Sequence, residues 1–347
     1  MKTITVGNRS IGEGNPCCIS FEPSAGYSDF EGAKSMIKAT AAAGADAIKF
    51  QTFLPGDAKR LMAKDSLVQF STPTGTKEES IYEALKKREL TKNEWKGLIN
   101  FSKDLDLLFI TTPVFIETVD FLADTNVDIL KVSKGDVDNV LLIDHMAKTH
   151  IPIILDGREK FENVDIAIKI CEKNQNENII VLHCPSGYPV ENAGVHLNTL
   201  QSISQKYNYP IGFADHSPGG IMNYAAVALG SKMVEKTITT DKTIEHVEHF
   251  MSLEPTELKN FVENIRAIEA AMGDPNIFLT SRVDASIRRG IVAKYDIQKG
   301  EKISLESLDF QRPSTMGIPC SEGFNVISKK ATVNIPKNAF LKWDMLE

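Results

Sequence analysis

The sequence predicts a closed parallel α/β barrel, the TIM (β/α)8 barrel, followed by a small β-rich domain. Eight short β-rich apolar runs each precede an amphipathic segment, and together they span about 260 of the 347 residues, a length typical of this barrel. Strands that alternate with helical segments indicate parallel βα units, and eight of them favour closure over the alternative, a doubly wound open sheet. After Pro275 short alternating strands follow, which indicates a second domain.

The elements follow from apolar runs and capping signals. The predicted strands cover residues 16–22, 46–53, 108–113, 128–135, 152–157, 178–184, 210–217 and 232–239. The predicted helices cover residues 29–44, 91–105, 116–123, 139–148, 164–173, 197–207, 221–230 and 254–273. Asp29 is placed to cap the first helix, which Gly44 ends. Thr91 and Glu94 have capping-box spacing at the second helix, which a long polar insertion rich in Pro and Gly separates from the second strand.

The chain divides into a barrel domain over residues 1–273, a linker over 274–283 and a small domain over 284–347. The small domain begins with the segment RRGIVAKYDIQKGEKISLESLDFQRP, which contains a turn at Lys299 and Gly300. Its short alternating strands, with no long amphipathic segment after them, predict a β-rich fold.

Composition excludes several classes of protein. With 42% hydrophobic and 24% charged residues, the chain has the composition of a soluble globular protein. A net charge of −7 makes nucleic acid and anionic membrane surfaces poor partners. The sequence contains no apolar run of membrane-spanning length and starts with no secretion signal, so a cytoplasmic location is expected. Its five cysteines show no C-x-x-C spacing, and each is expected to be a buried free thiol.

Polar residues collect at the carboxyl ends of the predicted strands, which form the active face of such a barrel. These residues are Glu22, Lys49, Gln51, Thr111, Thr112, Lys131, Ser133, Lys134, Asp156, His183, Asp215, His216, Glu235 and Lys236. Burying so many charged groups costs several kcal/mol each without partners or a ligand. The pattern therefore predicts an enzyme.

Three lysines, Lys49, Lys131 and Lys134, indicate an anionic ligand such as a carboxylate or a phosphate. Glu22 is the candidate base, because its carboxylate ends the first strand. His183 and His216 are candidates for metal binding or proton transfer.

Several of these residues lie in segments that resemble the sialic acid synthase family, whose members make nonulosonic acids from phosphoenolpyruvate and an N-acetylated hexose. The segments are AGADAIKFQTF, FITTP, LHCPSGYP, GFADHS and DKTIEHVEHFMSLEPTEL. The segment IVAKYDIQKGEKISLESLDFQRP is similar to the C-terminal antifreeze-like (SAF, β-clip) domain of that family. The resemblance covers nearly the whole chain and implies a barrel followed by that domain.

The resemblance also implies a mechanism. A divalent metal, Mn²⁺ or Mg²⁺, would polarise the sugar aldehyde while C3 of phosphoenolpyruvate attacks it. Glu22, Lys49 and His216 are the implied catalytic residues, and His216 is the implied metal ligand. The implied substrate-binding residues are Gln51, Thr112, Lys131, Ser133, Lys134, His183, Ser186, Tyr188, Asp215, Glu248 and Arg312. Arg312 would reach the sugar in a partner subunit, which implies a domain-exchanged homodimer.

The chain departs from the family pattern at several anion and metal positions. Thr237 replaces the second metal histidine, and His246 and His249 are candidate replacement ligands. Lys134 replaces a phosphate-binding serine, and its ammonium is expected to replace part of the lost phosphate binding. Further replacements are Asp156 and Gly157 for Ser-Thr-Gly, Ser186 for an asparagine and Ala214 for a serine.

Two alternatives remain open. In the first, Lys49, Lys131, Lys134 or Lys236 forms a Schiff base with a carbonyl substrate in an aldolase-like or lyase-like reaction. In the second, the chain is a non-catalytic binder of a sugar acid.

Overall fold

The computed structural model describes residues 1–347 except 25, 73–74, 158–159, 245, 247 and 274–285. The chain separates into two compact units, Met1–Gly273 and Asp274–Glu347. The predicted linker, residues 274–283, lies outside the described residues.

The barrel strands lie close to their predicted positions, and the described residues form six further strands outside the barrel. In chain order they are Ile4–Val6 (β1), Arg9–Ile11 (β2), Cys18–Glu22 (β3), Ala47–Thr52 (β4), Leu67–Thr72 (β5), Gly75–Ser80 (β6), Leu108–Pro113 (β7), Ile129–Val132 (β8), Ile153–Asp156 (β9), Ile179–His183 (β10), Ile211–Asp215 (β11), Met233–Thr237 (β12), Gly290–Ala293 (β13) and Leu308–Gln311 (β14). Eight of them form a closed barrel in the order β3, β4, β7, β8, β9, β10, β11 and β12, and β12 pairs in parallel with β3. The predicted fold class is therefore confirmed.

The helices follow the strands as the amphipathic segments predict. In chain order they are Phe30–Ala42 (α1), Asp57–Leu61 (α2), Ile81–Lys86 (α3), Lys92–Asp104 (α4), Ile116–Ala123 (α5), Val140–Lys148 (α6), Phe161–Lys173 (α7), Thr199–Lys206 (α8), Ile221–Ala228 (α9), Pro255–Met272 (α10) and Gly323–Val326 (α11). The Asp29 side chain accepts a hydrogen bond from the Gly32 amide, and Thr91 and Glu94 form both bonds of a capping box. Among the described residues, no helix combines the length and apolar composition that a membrane span requires.

Two apolar layers determine which strand residues point into the barrel. Side chains alternate between the two faces of a strand. One set, including Ile19, Phe50 and Phe213, packs with apolar residues of the helices. The other set includes Ile110 and Leu182 and fills the barrel interior.

The hairpin of β1 and β2 was not predicted. Its apolar residues Ile4, Val6 and Ile11 belong to the interior cluster, together with Cys18 and Met233 at the amino ends of their strands. The hairpin thus packs against the amino ends of the strands, and the polar carboxyl ends lie at the opposite end of the barrel.

The polar insertion is also more ordered than its composition indicates. It contains α2, the antiparallel pair β5 and β6, and α3. Phe53, Ala58, Tyr82 and Leu85 form a small apolar cluster beneath it. The apolar cluster and the β5–β6 pairing hold a segment that otherwise contains mostly polar residues.

The second unit matches the predicted β-rich character. Strands β13 and β14 pair antiparallel, and an apolar cluster that includes Ile291, Ile303 and Leu341 forms its core. The five cysteines are free and four are buried; Cys320 is exposed, contrary to expectation.

Candidate active site

The candidate active site lies at the carboxyl ends of the barrel strands, on the side chains that face the interior. These side chains share the face of the interior apolar residues, two or four positions earlier on the same strand. They belong to Glu22, Lys49, Gln51, Thr112, Lys131, Asp156, Cys184, His216, Glu235 and Thr237. All of them except Gln51 are buried.

Two ion pairs organise this interior. The Lys49 ammonium on β4 donates to a carboxylate oxygen of Glu22 on the neighbouring strand β3. The Lys131 ammonium on β8 donates to Oε1 of Glu235 on β12. Burial opposes the charge on Lys131, but the carboxylates of Glu235 and Glu22 outweigh it and raise the pKa of its ammonium. Lys131 is therefore a fixed cation at neutral pH.

Glu235 is one of the strand-end polar residues selected from the sequence, although no catalytic or binding role was predicted for it. Its Oε2 atom is buried and has no hydrogen-bond partner within the described part of the chain. The available signal was strand periodicity, because Glu235 and Thr237 share a face of β12 while Lys236 lies on the other face.

His216 lies beside two residues of the loop after β10. Its ring centroid is 4.6 Å from that of Tyr188, and its Nδ1 atom is 3.8 Å from Sγ of Cys184. Tyr188 is partly exposed and His216 is buried, so the tyrosine covers the imidazole from the solvent side.

The end of the fourth barrel strand differs from the prediction. Strand β8 ends at Val132, and Lys134–Asp136 form a 3-10 turn. Ser133 donates from Oγ to Oδ2 of Asp136 at 2.7 Å, and Lys134 donates from Nζ to Oγ of Ser186 at 2.9 Å. Both Lys134 and Ser186 are exposed, so this pair links two loops at the rim of the barrel.

His183 and Asp215, both predicted as substrate-binding residues at strand ends, lie on the side of their strands that faces the helices. Each immediately precedes an inward-facing residue, so strand alternation turns both toward the helices. His183 places Nε2 2.7 Å from the carbonyl oxygen of Val195 and packs on Phe213. Asp215 accepts from the amide and hydroxyl of Ser217 and from Lys236. These hydrogen bonds tie both side chains to neighbouring loop and strand residues.

Lys236 shares this outward position. Its side chain is fully buried, and its ammonium donates to Asp215 at 2.8 Å and to the carbonyl oxygen of Ser217. Burial lowers the pKa of Lys236, against the attraction of Asp215. A carbonyl substrate in the barrel interior has no access to this amine.

The residues around His216 do not fit a divalent cation. In the described part of the chain, no group of three or more His, Cys, Asp or Glu side chains is arranged to hold a metal. Thr237 contributes a buried hydroxyl without a hydrogen-bond partner among the described residues. One imidazole and one hydroxyl are a weak donor set for such an ion.

The candidate replacement ligands have other contacts. His249 places Nδ1 3.0 Å from the carbonyl oxygen of Asp241 and also contacts the Thr239 hydroxyl. His246 places Nε2 3.2 Å from Oε1 of Glu79 on β6.

The remaining predicted residues are placed as follows. Gln51 on β4 lies opposite Thr112 on β7, so the two side chains are neighbours in the barrel wall. Glu248 lies in the loop between β12 and α10, and its Oε2 is buried without a hydrogen-bond partner among the described residues. Arg312 directly follows β14 in the second unit and is exposed there.

Comparison with known proteins agrees with this fold. A family model described as the NeuB family matches residues 36–276, and a SAF domain model matches residues 288–347. An N,N'-diacetyllegionaminic acid synthase of Campylobacter jejuni is 33% identical over 321 residues, which cover 90% of this chain and 95% of that protein. The N-acetylneuraminate-9-phosphate synthase of Homo sapiens is 27% identical over 345 residues, 98% of this chain and 95% of that protein.

A solved structure extends the likeness to three dimensions. The crystal structure of N-acetylneuraminic acid (sialic acid) synthetase from Leptospira borgpetersenii, in complex with citrate, superposes with a TM-score of 0.71 at 30% identity. It covers 82% of this chain and 94% of the other. The chain therefore belongs to the NeuB family and carries a SAF domain in its C-terminal region.

Proposed function

We propose that this chain condenses phosphoenolpyruvate with the open-chain aldehyde of an N-acetylated hexose, forming a nonulosonic acid and releasing phosphate. Its relatives are nonulosonic acid synthases, which supports a synthase. The observation that carries the proposal is the pair of buried lysines, Lys49 and Lys131, each held by a carboxylate inside the barrel. Cations that are fixed before the substrate arrives suit a small, highly charged anion.

The reaction requires one new C–C bond and one hydrolysis. C3 of phosphoenolpyruvate attacks the aldehyde carbon, and the aldehyde oxygen takes up a proton. Water adds at C2, and departure of phosphate leaves the ketone of a 2-keto acid. The nucleophile and the leaving group both belong to the substrates, so the protein must bind, orient and move protons.

The interior residues divide these tasks. Lys131 and Lys49 bind the carboxylate and phosphate oxygens, and the rim pair of Lys134 and Ser186 adds a cation and a hydroxyl. Glu22 takes the proton of the attacking water, and the hydrogen bond from Lys49 orients its carboxylate. Tyr188 and Glu248 lie on loops at the same end of the barrel and contact the sugar, and Arg312 reaches it from a partner subunit in a homodimer.

The Schiff-base alternative is weaker on the same contacts. A nucleophilic lysine must be a neutral, accessible amine. Lys131 and Lys49 are ion-paired, and Lys236 is enclosed on the helix side. Only the exposed Lys134 meets the requirement of access.

The deciding experiment measures phosphate release from phosphoenolpyruvate with a panel of N-acetylated hexoses, with and without Mn²⁺ or Mg²⁺. Sugar-dependent release supports the proposal, and its loss on chelation supports the predicted cation despite the weak donor set around His216. Sugar-dependent phosphate release that persists after chelation contradicts the predicted divalent cation but not the proposed reaction. Sugar binding without release from folded protein supports the non-catalytic alternative, and borohydride trapping of substrate on a lysine supports the Schiff-base alternative.

A further inference from the structure

Arg88 is a buried cation without a counter-charge. Its side chain lies just after α3 and is only 8% exposed. Nη1 donates to the carbonyl and hydroxyl oxygens of Ser24 at 2.9 and 3.2 Å, and Nε donates to the carbonyl oxygen of Ala84 at 3.3 Å. Among the described residues no carboxylate forms an ion pair with Arg88, and its Nη2 atom has no hydrogen-bond partner. A buried guanidinium in this condition is costly unless an anion approaches it.

A cavity of about 240 Å³ lies against this guanidinium, and we name it the Arg88 cavity. Its wall includes Tyr27, Glu79, Lys87, Arg88, His246 and His249. Tyr27 belongs to the loop after β3 and the two histidines to the loop after β12. Because those strands end at Glu22 and Thr237, the cavity adjoins the catalytic end of the barrel.

Tyr27 supplies a second group without a partner. Its side chain is buried, and its hydroxyl has no hydrogen-bond partner within the part of the chain described. Burial raises the pKa of Tyr27, and the charges of Arg88 and Glu22 both act on its hydroxyl. The hydroxyl is thus a neutral donor on a residue of the cavity wall, unpartnered among the described residues.

The charges around the cavity favour an anion. Arg88 and the exposed Lys87 contribute two positive charges, and Glu79 contributes one negative charge that His246 engages through Nε2 at 3.2 Å. Burial, together with the positive charges of Arg88 and Lys87 and the neighbouring His249, lowers the pKa of His246 to about 3. Arg88, Lys87 and Glu79 together give the wall a formal charge of +1, the two histidines not counted.

We propose that the Arg88 cavity binds an oxyanion substituent of the sugar substrate, either a phosphate ester or a carboxylate. The proposal depends on the proposed function only for the identity of the substrate. The protein then distinguishes a charged sugar from a neutral one, because a neutral hexose leaves the guanidinium of Arg88 without a counter-ion. Nη2 of Arg88, the Tyr27 hydroxyl and the Lys87 ammonium are the donors to the oxyanion.

The test compares three sugars at saturating phosphoenolpyruvate: an N-acetylated hexose, its 6-phosphate and the corresponding 6-carboxylate. At least one charged sugar is expected to have a KM about ten-fold below that of the neutral sugar, the effect of one hydrogen bond to a charged group. Arg88→Met is expected to remove this preference while leaving the KM of the neutral sugar within about two-fold. The neutral sugar thereby controls for damage to the fold, and the preferred charged sugar identifies the oxyanion.

Two surface variants cover the case in which Arg88→Met does not fold. Lys87→Met is expected to weaken the preference for the charged sugar. Lys86→Met is the matched control, because the ammonium of Lys86 lies 5.8 Å from the Tyr82 ring centroid. If the wild type uses the three sugars with equal KM, or if the two lysine variants behave alike, the proposal is overturned.

A binding measurement separates the two proposals, because it needs no turnover. Sulfate replaces chloride at constant ionic strength, and the midpoint of thermal unfolding is measured. Sulfate is expected to raise this midpoint less in Lys87→Met than in Lys86→Met. This result does not depend on turnover, so it is expected even if the chain uses none of the sugars and the proposed function fails. Equal gains in the two variants contradict an oxyanion site in the cavity.

Discussion

Lys131 and Glu235 form a buried ion pair across the full width of the barrel. They lie on β8 and β12, which are four strands apart in the ring of eight and therefore opposite each other. The ammonium and the carboxylate thus meet inside the barrel at the base of the active site. They connect two strands that share no backbone hydrogen bond. An anionic substrate that binds Lys131 must share this lysine with Glu235.

The first prediction concerns the stability of this pair. Removing one partner leaves a buried, uncompensated charge, so Lys131→Met and Glu235→Leu are each expected to lower the free energy of unfolding by about 3–5 kcal/mol. The double variant is expected to lose less than the sum by about 1–3 kcal/mol. Urea denaturation of the four proteins measures the coupling. Additive losses would show that the pair is not formed.

The surface pair of the exposed Lys148 and the half-buried Asp144, at i,i+4 spacing on α6, is the matched control. Its coupling energy is expected to be about 0–0.5 kcal/mol, because water screens it.

The second prediction concerns Glu22. Glu22→Gln keeps the shape of the side chain but removes the proton acceptor, so kcat is expected to fall by about 100-fold or more. The KM for phosphoenolpyruvate is expected to stay constant or fall, since Lys49 loses its competing carboxylate. Phosphate release measures both parameters, and circular dichroism checks the fold. Undiminished turnover would remove Glu22 from the catalytic residues.

The barrel itself could be predicted because its signal is repeated eight times. Each apolar run and each capping signal, such as Asp29 or Thr91 with Glu94, is local in sequence, and the structure forms these caps. The hairpin of β1 and β2 and the insertion could not be predicted in the same way. Each owes its order to a few apolar contacts, such as Ile11 in the interior cluster and Tyr82 beneath the insertion.

The sequence predicted where along the strands the site residues lie, but only partly which way their side chains point. Choosing every polar residue near a strand end selected both His183 and Asp215, yet strand alternation allows only one of two neighbouring residues to face the interior. The same rule distinguishes Glu235, which faces the interior, from its neighbour Lys236 in that selection. Arg88 had no sequence signal, because a buried cation after a short helix looks like any surface arginine until its surroundings are known.

The third prediction concerns the rim pair of Lys134 and Ser186. Because both side chains are exposed, Lys134 acts mainly through long-range attraction of the anionic substrate. Lys134→Met is expected to raise the KM for phosphoenolpyruvate by about three- to ten-fold at low salt, and the difference is expected to shrink as the ionic strength rises toward 0.5 M. Lys148→Met, remote on α6, serves as the control. A KM that is unaffected at low salt would exclude Lys134 from substrate binding.

The fourth prediction concerns acid stability and follows from His246. Its pKa is lowered to about 3, chiefly by burial, whereas an unfolded histidine has a pKa near 6.5. Between these two values the unfolded chain binds more protons than the folded chain, so the free energy of unfolding falls as the pH falls from about 6.5 toward 3. His246→Asn removes this linkage. From pH 6 to pH 4 it is expected to lose about 2–2.5 kcal/mol less stability than the wild type. Urea titrations at a series of pH values measure the difference, and His150→Asn at an exposed loop position with φ 58° is the control. Parallel pH profiles for the wild type and His246→Asn would mean that His246 is protonated as readily in the folded chain as in the unfolded one, which would contradict the lowered pKa of its imidazole.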